Sequence, residues 1–228
     1  MDLLSMRWRH TLFAHWPVAP AVVDAHLPDQ LSVATADGSA WLGVVSFDMV
    51  DIRPRRSPIG LAFPEVNLRT YVEPTDGGER GVYFFTLEAA DRLGVSMARL
   101  GYRLPYHYAS MSATERGETV EFRSYRAPAD DSPGARFEAT YRPTDEPERV
   151  EPGSLAAFLI ENYRFYTDDW PVVIGVIDHD PWPVQDAAVE IEANTLFEAC
   201  GFEHPGGDPL VHYARDLEVT AKPPAILH

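Results

Sequence analysis

The chain has 228 residues, and 19 basic against 35 acidic side chains leave a formal charge of −16. Apolar residues make up 45% and aromatic ones 11%, enough for a sizeable core, which excludes global disorder. A surface this negative repels phosphate backbones and anionic headgroups, so neither a nucleic acid nor a membrane is expected as a partner. Cys200 is the one cysteine, which excludes an internal disulfide. No Cys/His cluster suggests zinc, so no metal and no cofactor are expected. Lys222 is the only lysine beside 18 arginines. An acid excess with scarce lysine suits concentrated salt, where self-repulsion is screened. A GC-rich genome, which favours arginine codons, is the plainer explanation of the arginines alone.

Met1 to His10 lacks the continuous apolar core and small-residue cleavage site of a signal peptide. The longest apolar runs, Leu155 to Ile160 and Val172 to Ile177, are far short of the roughly 20 residues that span a bilayer. A soluble, cytoplasmic protein is expected.

In chain order, Pro20 to His26 predicts a short helix with a proline near its first turn. Ala40 to Ile52 is a long strand candidate, and Glu65 to Val72 alternates cleanly. Asp76 to Glu79 forms a turn into the strand Gly81 to Leu87, completing a hairpin. Ala89 to Tyr102 spaces Leu93, Met97 and Leu100 at helical intervals. Strands are expected at Tyr106 to Thr114, Thr119 to Arg126 and Ala135 to Arg142, with a turn at Glu115 to Glu118. The stretches Ala127 to Gly134 and Pro143 to Gly153 are polar and rich in proline and acids, as linkers are. A helix over Ser154 to Tyr163 opens on a serine cap, and another over Asn194 to Cys200 ends at Gly201. Late strands fall at Val172 to Asp178, Ala187 to Glu192 and Val211 to Val219. The pattern predicts a mainly β (α+β) protein, with residues 1–228 forming one β-rich domain carrying a few short helices.

Two segments could carry chemistry. Alternation along Phe63 to Val72 puts Val66, Leu68, Thr70 and Val72 on one face and Glu65, Asn67, Arg69 and Tyr71 on the other. A carboxylate, an amide and a guanidinium would then stand in a row about 7 Å apart. Inside a barrel that row would recognise a small anionic or carbonyl ligand, with Arg69 forking a carboxylate. On an open sheet it would be an ordinary wet face. In the second segment, Met97 to Met111, a helix carrying Arg99 gives way after Pro105 to a strand bearing Tyr106, His107 and Tyr108. Tyr106 and His107 point to opposite sides, and whichever faces a cavity could act as acid or base. Equally, these aromatics could simply fill the core. Asp178, His179 and Asp180 spell a metal cluster on paper, but adjacent strand residues cannot all reach one ion.

Nucleophile motifs are absent: there is no G-x-S-x-G, no P-loop and no G-x-G-x-x-G. The segments FAHWPV, LPDQL, WLGVVSFDM, FPEVNLRTYV, GVYFFTLEA, ARLGYRLPYHYASM and HDPWP, in order from Phe13 to Pro183, together resemble the YqjF-like family. That family looks related to the acetoacetate-decarboxylase-like superfamily. The resemblance implies a cone-shaped, mainly antiparallel β-barrel around a small cavity, with Glu65 matching a cavity glutamate and Arg99 loosely matching a polar position. The superfamily's decarboxylases form an imine with one lysine of a pair, and that pair falls on Tyr106 and His107 here. Imine chemistry needs a desolvated amine, and Lys222 lies in a proline-rich tail.

The expected function is therefore binding of a small carboxylate or carbonyl ligand by Glu65, Asn67, Arg69, Arg99, Tyr106 and His107, without a Schiff-base lysine. The catalytic alternative is a lysine-independent lyase, isomerase or hydratase acting on a small keto or carboxylic acid. Glu65, Tyr106 and His107 are its candidate catalytic groups. A third possibility is an interaction module whose cavity is filled by its own side chains.

Overall fold

The structure is a computed structural model describing residues 2–129, 132–167 and 172–226. Its elements begin with β1 (Leu4–Val18), α1 (Pro20–Asp24), β2 (Leu31–Val33), β3 (Ala40–Pro54), β4 (Leu61–Pro74) and β5 (Gly81–Ala89). There follow α2 (Arg92–Tyr102), β6 (Tyr106–Tyr108), β7 (Ser110–Arg116), β8 (Thr119–Arg126), β9 (Ala135–Pro143) and β10 (Glu148–Arg149). The chain continues through α3 (Leu155–Ile160), β11 (Arg164–Tyr166), β12 (Val173–His179), β13 (Pro183–Asn194), α4 (Leu196–Ala199), β14 (Leu210–Ala221) and β15 (Ala225–Ile226).

Neighbouring strands run β12-β11-β5-β4-β3-β1-β14, and β14 pairs back onto β12, so seven strands close into a barrel. Closure removes the free edges that an open sheet would expose. All these pairings are antiparallel except β5 with β11. Beyond β14 the sheet continues through β13, β9, β8 and β7, which fold over the outside of the barrel.

Two parity switches shape the interior. On β1, Leu4, Met6 and Trp8 face inward, but from Thr11 and Phe13 onward it is the odd positions that do. The switch is a bulge between Arg9 and Leu12, where His10 adopts φ 53°. That left-handed turn is held by the Tyr141 hydroxyl donating to the His10 carbonyl at 2.7 Å and by Tyr213 on the imidazole at 2.8 Å. On β3 the inward set Val45, Phe47 and Met49 gives way to Ile52 past Asp51, at φ 54°. β4 has no such switch toward β3, and Leu61 to Arg69 keep one parity.

Two apolar clusters result. One lies inside the barrel, where Phe13, Phe47, Trp182 and Trp8 pack as a set of rings 5.1–5.8 Å apart. The other lies between the barrel wall and the covering sheet. Leu12, Trp16, Leu42, Val66 and Leu68 meet Val120, Phe122, Phe137 and Tyr141 there. Both faces of β4 are thus buried, so the open-sheet reading of Glu65 and Asn67 is replaced by an interior one.

Several boundaries differ from expectation. β1 was not foreseen, because its bulge breaks the period-two pattern. The single strand expected from Tyr106 breaks at Ala109 into β6, which pairs parallel with β5, and β7, which pairs with β8. The helix expected from Ala89 starts at Arg92, with Asp91 accepting the Gly94 N–H as its cap. Its spaced residues Leu93, Met97 and Leu100 face outward, at 58%, 51% and 87% exposure, while Val95 and Tyr102 are buried. The stretch Pro143 to Gly153 is not a free linker, since β10 pairs β13 there. Part of Ala127 to Gly134 lies outside the described residues.

Candidate functional site

The barrel encloses a cavity of about 320 Å³. Leu4, Ile52, Pro54 and Leu61 line it where β1, β3 and β4 meet, and α2 lies across this end through Met97, Ala98 and Tyr102. The walls below are mostly apolar and aromatic. Polar groups gather along β4, which carries Phe63, Glu65, Asn67 and Arg69 on its inward face from the α2 end downward.

Glu65 is 2% exposed. The Tyr106 hydroxyl donates to its Oε2 at 2.7 Å, and Asn67 hydrogen-bonds it as well. Burial pushes its carboxyl up to about 7, and these two neutral partners only partly offset that. Tyr106 is itself pushed well above the usual phenol range by burial and by the facing carboxylate. The Asn67 Oδ1 and the Arg69 Nε, both buried, have no hydrogen-bond partner among the described residues.

Arg69 lies farther from α2 along β4, its Cζ 5.6 Å from the centre of the Phe13 ring. Below it the Tyr71 hydroxyl donates to the Leu159 carbonyl at 2.6 Å, so it accepts from His15 Nε2 at 2.7 Å. His15 is fully buried, and desolvation with the nearby Arg69 charge holds it well below the usual imidazole range, hence neutral. Gly43 makes this possible: a Cβ there would meet His15 Cδ2 at 2.8 Å and Arg69 Cγ at 3.6 Å.

Of the six expected ligand-binding residues, the structure gathers four around the cavity: Glu65, Asn67, Arg69 and Tyr106. Tyr106 is the inward member of its pair. Arg99 and His107 are not among the residues lining the cavity. Arg99 points back across α2, and its Nε donates to the Tyr106 carbonyl at 2.5 Å, positioning β6 from outside. His107 faces the opposite side of β6. Burial and the Arg126 and Arg99 charges push its imidazole down to about 4.

His179, in sequence one of an Asp-His-Asp run that cannot converge on one ion, lines the cavity. Its Nδ1 faces the Asp180 carbonyl at 2.8 Å. A carbonyl only accepts, so Nδ1 carries the hydrogen, and the buried, unpartnered Nε2 is left as an acceptor. Strand alternation was the signal: it separates His179 from Asp178 and Asp180. Among the described residues no group of three His, Cys, Asp or Glu side chains is placed to hold a metal. Lys222 is exposed just past β14 and does not line the cavity.

A family model described as an uncharacterized conserved protein, DUF2071, matches residues 5–218. The chain belongs to the DUF2071 family. The uncharacterized protein YqjF of Bacillus subtilis (strain 168) is 39% identical over 225 residues, covering 97% of this chain and 91% of YqjF. Among solved structures, an acetoacetate decarboxylase-like enzyme from Sphingomonas wittichii RW1 superposes with a TM-score of 0.67 at 15% identity, over 100% of this chain and 94% of that one. Acetoacetate decarboxylase from Legionella pneumophila gives 0.68 at 12% identity, over 98% and 87% of the two chains. The enduracididine biosynthesis enzyme MppR complexed with pyruvate gives 0.67 at 10% identity, over 100% and 91%. The DUF2071 barrel therefore has the acetoacetate-decarboxylase-like fold. No helix among its described residues is long and apolar enough to cross a membrane.

Proposed function

We propose that this DUF2071 protein binds a small carboxylate or carbonyl ligand in its barrel, without a Schiff-base lysine. The observation that carries this is the row Glu65, Asn67 and Arg69 with Tyr106, all lining one mostly apolar cavity. A buried guanidinium nitrogen and amide oxygen without partners are costly unless a ligand or water completes them. Arg69 would hold the carboxylate, Asn67 would add one hydrogen bond, and Tyr106 with Glu65 would face the carbonyl. MppR, a fold neighbour, was solved complexed with pyruvate. Calorimetry with pyruvate and acetoacetate tests the proposal. Binding is expected in the wild type and at least tenfold weaker in Arg69→Met. Equal affinity in the two would refute it.

One observation favours a catalytic extension. A carboxyl at about 7 is half ionised at neutral pH, the condition for moving a proton in either direction. Glu65 would then exchange the proton alpha to a bound carbonyl while Tyr106 polarises the oxygen. Deuterium uptake into pyruvate, followed by NMR, should be catalysed by the wild type and lost in Glu65→Gln with binding kept. Unchanged exchange would leave binding alone.

We further read residues 1–228 as one unit working in a salt-rich cytoplasm, on the charge of −16. The melting temperature should then rise between about 0.1 M and 2 M KCl, where the Debye length falls from roughly 10 Å to below 3 Å. A flat or falling curve would argue for codon bias.

A further inference from the structure

We infer that the preferred ligand is a hydrophobic monocarboxylate, bound head-first, with a compact acid such as pyruvate held more weakly. This ligand class rests on the carboxylate site proposed at Arg69.

Polarity in the chamber is ordered along β4. Leu61 and Phe63 stand at the α2 end, Glu65 and Asn67 in the middle, and Arg69 farthest from α2. Successive inward positions are about 7 Å apart, so Arg69 and Phe63 are roughly 20 Å apart along the strand. A carboxylate seated on Arg69 therefore projects its body past Glu65 toward walls that are mostly apolar, where a lining cation, Arg53, is paired with Asp51 at 3.3 Å. Volume agrees. Water's share of liquid is about 30 Å³, so about 320 Å³ holds roughly ten such groups. A three-carbon acid would leave much of the chamber empty against apolar walls. Apolar character reaches the surface at Met97, which lines the cavity while 51% exposed; Leu93 and Leu100 on α2 are exposed but do not line it. An exposed methionine on the cavity wall suits a chain end that reaches the rim.

Each methylene buried from water is worth about fourfold in affinity. Calorimetry with acetate, butyrate, hexanoate and octanoate, with pyruvate and phenylpyruvate alongside, tests the inference. Affinity should rise steadily along the alkyl series, and phenylpyruvate should bind at least tenfold tighter than pyruvate. Met97→Asp places a charge at the rim on an exposed position. It should weaken octanoate about tenfold and leave acetate and pyruvate unchanged. Circular dichroism and melting of the variant check that it folds. Affinity that is flat with chain length, or an unchanged octanoate affinity in folded Met97→Asp, would overturn the inference while leaving the carboxylate site standing. If no acid binds, or all bind Arg69→Met as well as wild type, the carboxylate site itself fails and takes this inference with it.

Discussion

Glu65 on β4 and Glu88 on β5 are both shut off from solvent, at 2% and 0% exposure. Only one of them has a cation beside it. Glu88 lies opposite Val66, on the outward face of the barrel wall. There its Oε1 is 3.4 Å from the Arg126 Nε, and its Oε2 accepts from the Ser124 hydroxyl at 3.1 Å. Arg126, 5% exposed, also donates to the Thr86 hydroxyl at 3.3 Å. Glu65, one position away on the inner side, has Tyr106 and Asn67, both neutral. Desolvation pushes both carboxyls up. For Glu88 the Arg126 charge is the chief offset, whereas Glu65 is left at about 7. A buried charge pair under the covering sheet answers charge with charge, although the Glu88 Oε1 and Arg126 Nε meet as charges and not as a hydrogen bond. A buried carboxylate with neutral partners beside a cavity has no charge to answer it, and that asymmetry separates architecture from site.

The comparison can be broken hardest at Arg126. Arg126→Met strands the Glu88 charge, and the expected loss is about 3–5 kcal/mol in urea unfolding at pH 7.5. Adding Glu88→Leu should recover most of it, because a matched apolar pair has no charge to desolvate. A loss below about 1 kcal/mol would show that water reaches Glu88.

Glu65→Gln should act in the opposite sense and only at high pH. The native carboxyl titrates at about 7, above its ordinary 4.5. Between those values the folded state holds more protons than the unfolded one, so wild-type stability falls as pH rises through this window. The cost reaches about 3 kcal/mol by pH 8. Glutamine does not titrate. The variant should therefore gain about that much on wild type between pH 4.5 and pH 8, in paired urea unfolding curves. No change in the difference across that range would contradict the burial of an ionisable Glu65.

Arg99→Met should have the smallest effect. It removes one hydrogen bond to the Tyr106 carbonyl on an exposed helix face, worth about 1 kcal/mol. A collapse of the fold would mean that β6 depends on that bond alone.

How far the sequence foretold this arrangement depends on the strand. β4 was legible because its period of two runs unbroken on the side that faces the cavity, so Glu65, Asn67 and Arg69 could be placed on one face. What that face met was not legible, since closure depends on β12 pairing β14, more than 40 residues apart in the chain. β1 was hidden by its parity switch at His10, and the Tyr141 and Tyr213 hydroxyls that hold the switch come from distant strands. α2 misled through its apolar spacing: Leu93 and Leu100 face solvent, and Met97, half-exposed, lies at the edge of the cavity and not in the core. His107 is grouped with Tyr106 because the superfamily's lysine pair falls on both, and Arg99 by a loose match to a polar position. Adjacent strand residues point to opposite faces, and only Tyr106 points in.

The claim at the centre is that a carboxylate ligand sits between Arg69 and Glu65, close enough for Glu65 to sense it. A second negative charge beside a carboxyl titrating at about 7 drives it toward the neutral form. Binding of pyruvate and octanoate at pH 7.5, measured by calorimetry in two buffers of different ionisation enthalpy, reads the coupled proton directly. Wild type should take up about half a proton or more per ligand, and Glu65→Gln none. Binding with no proton uptake in the wild type would place the ligand away from Glu65 and contradict the site described here.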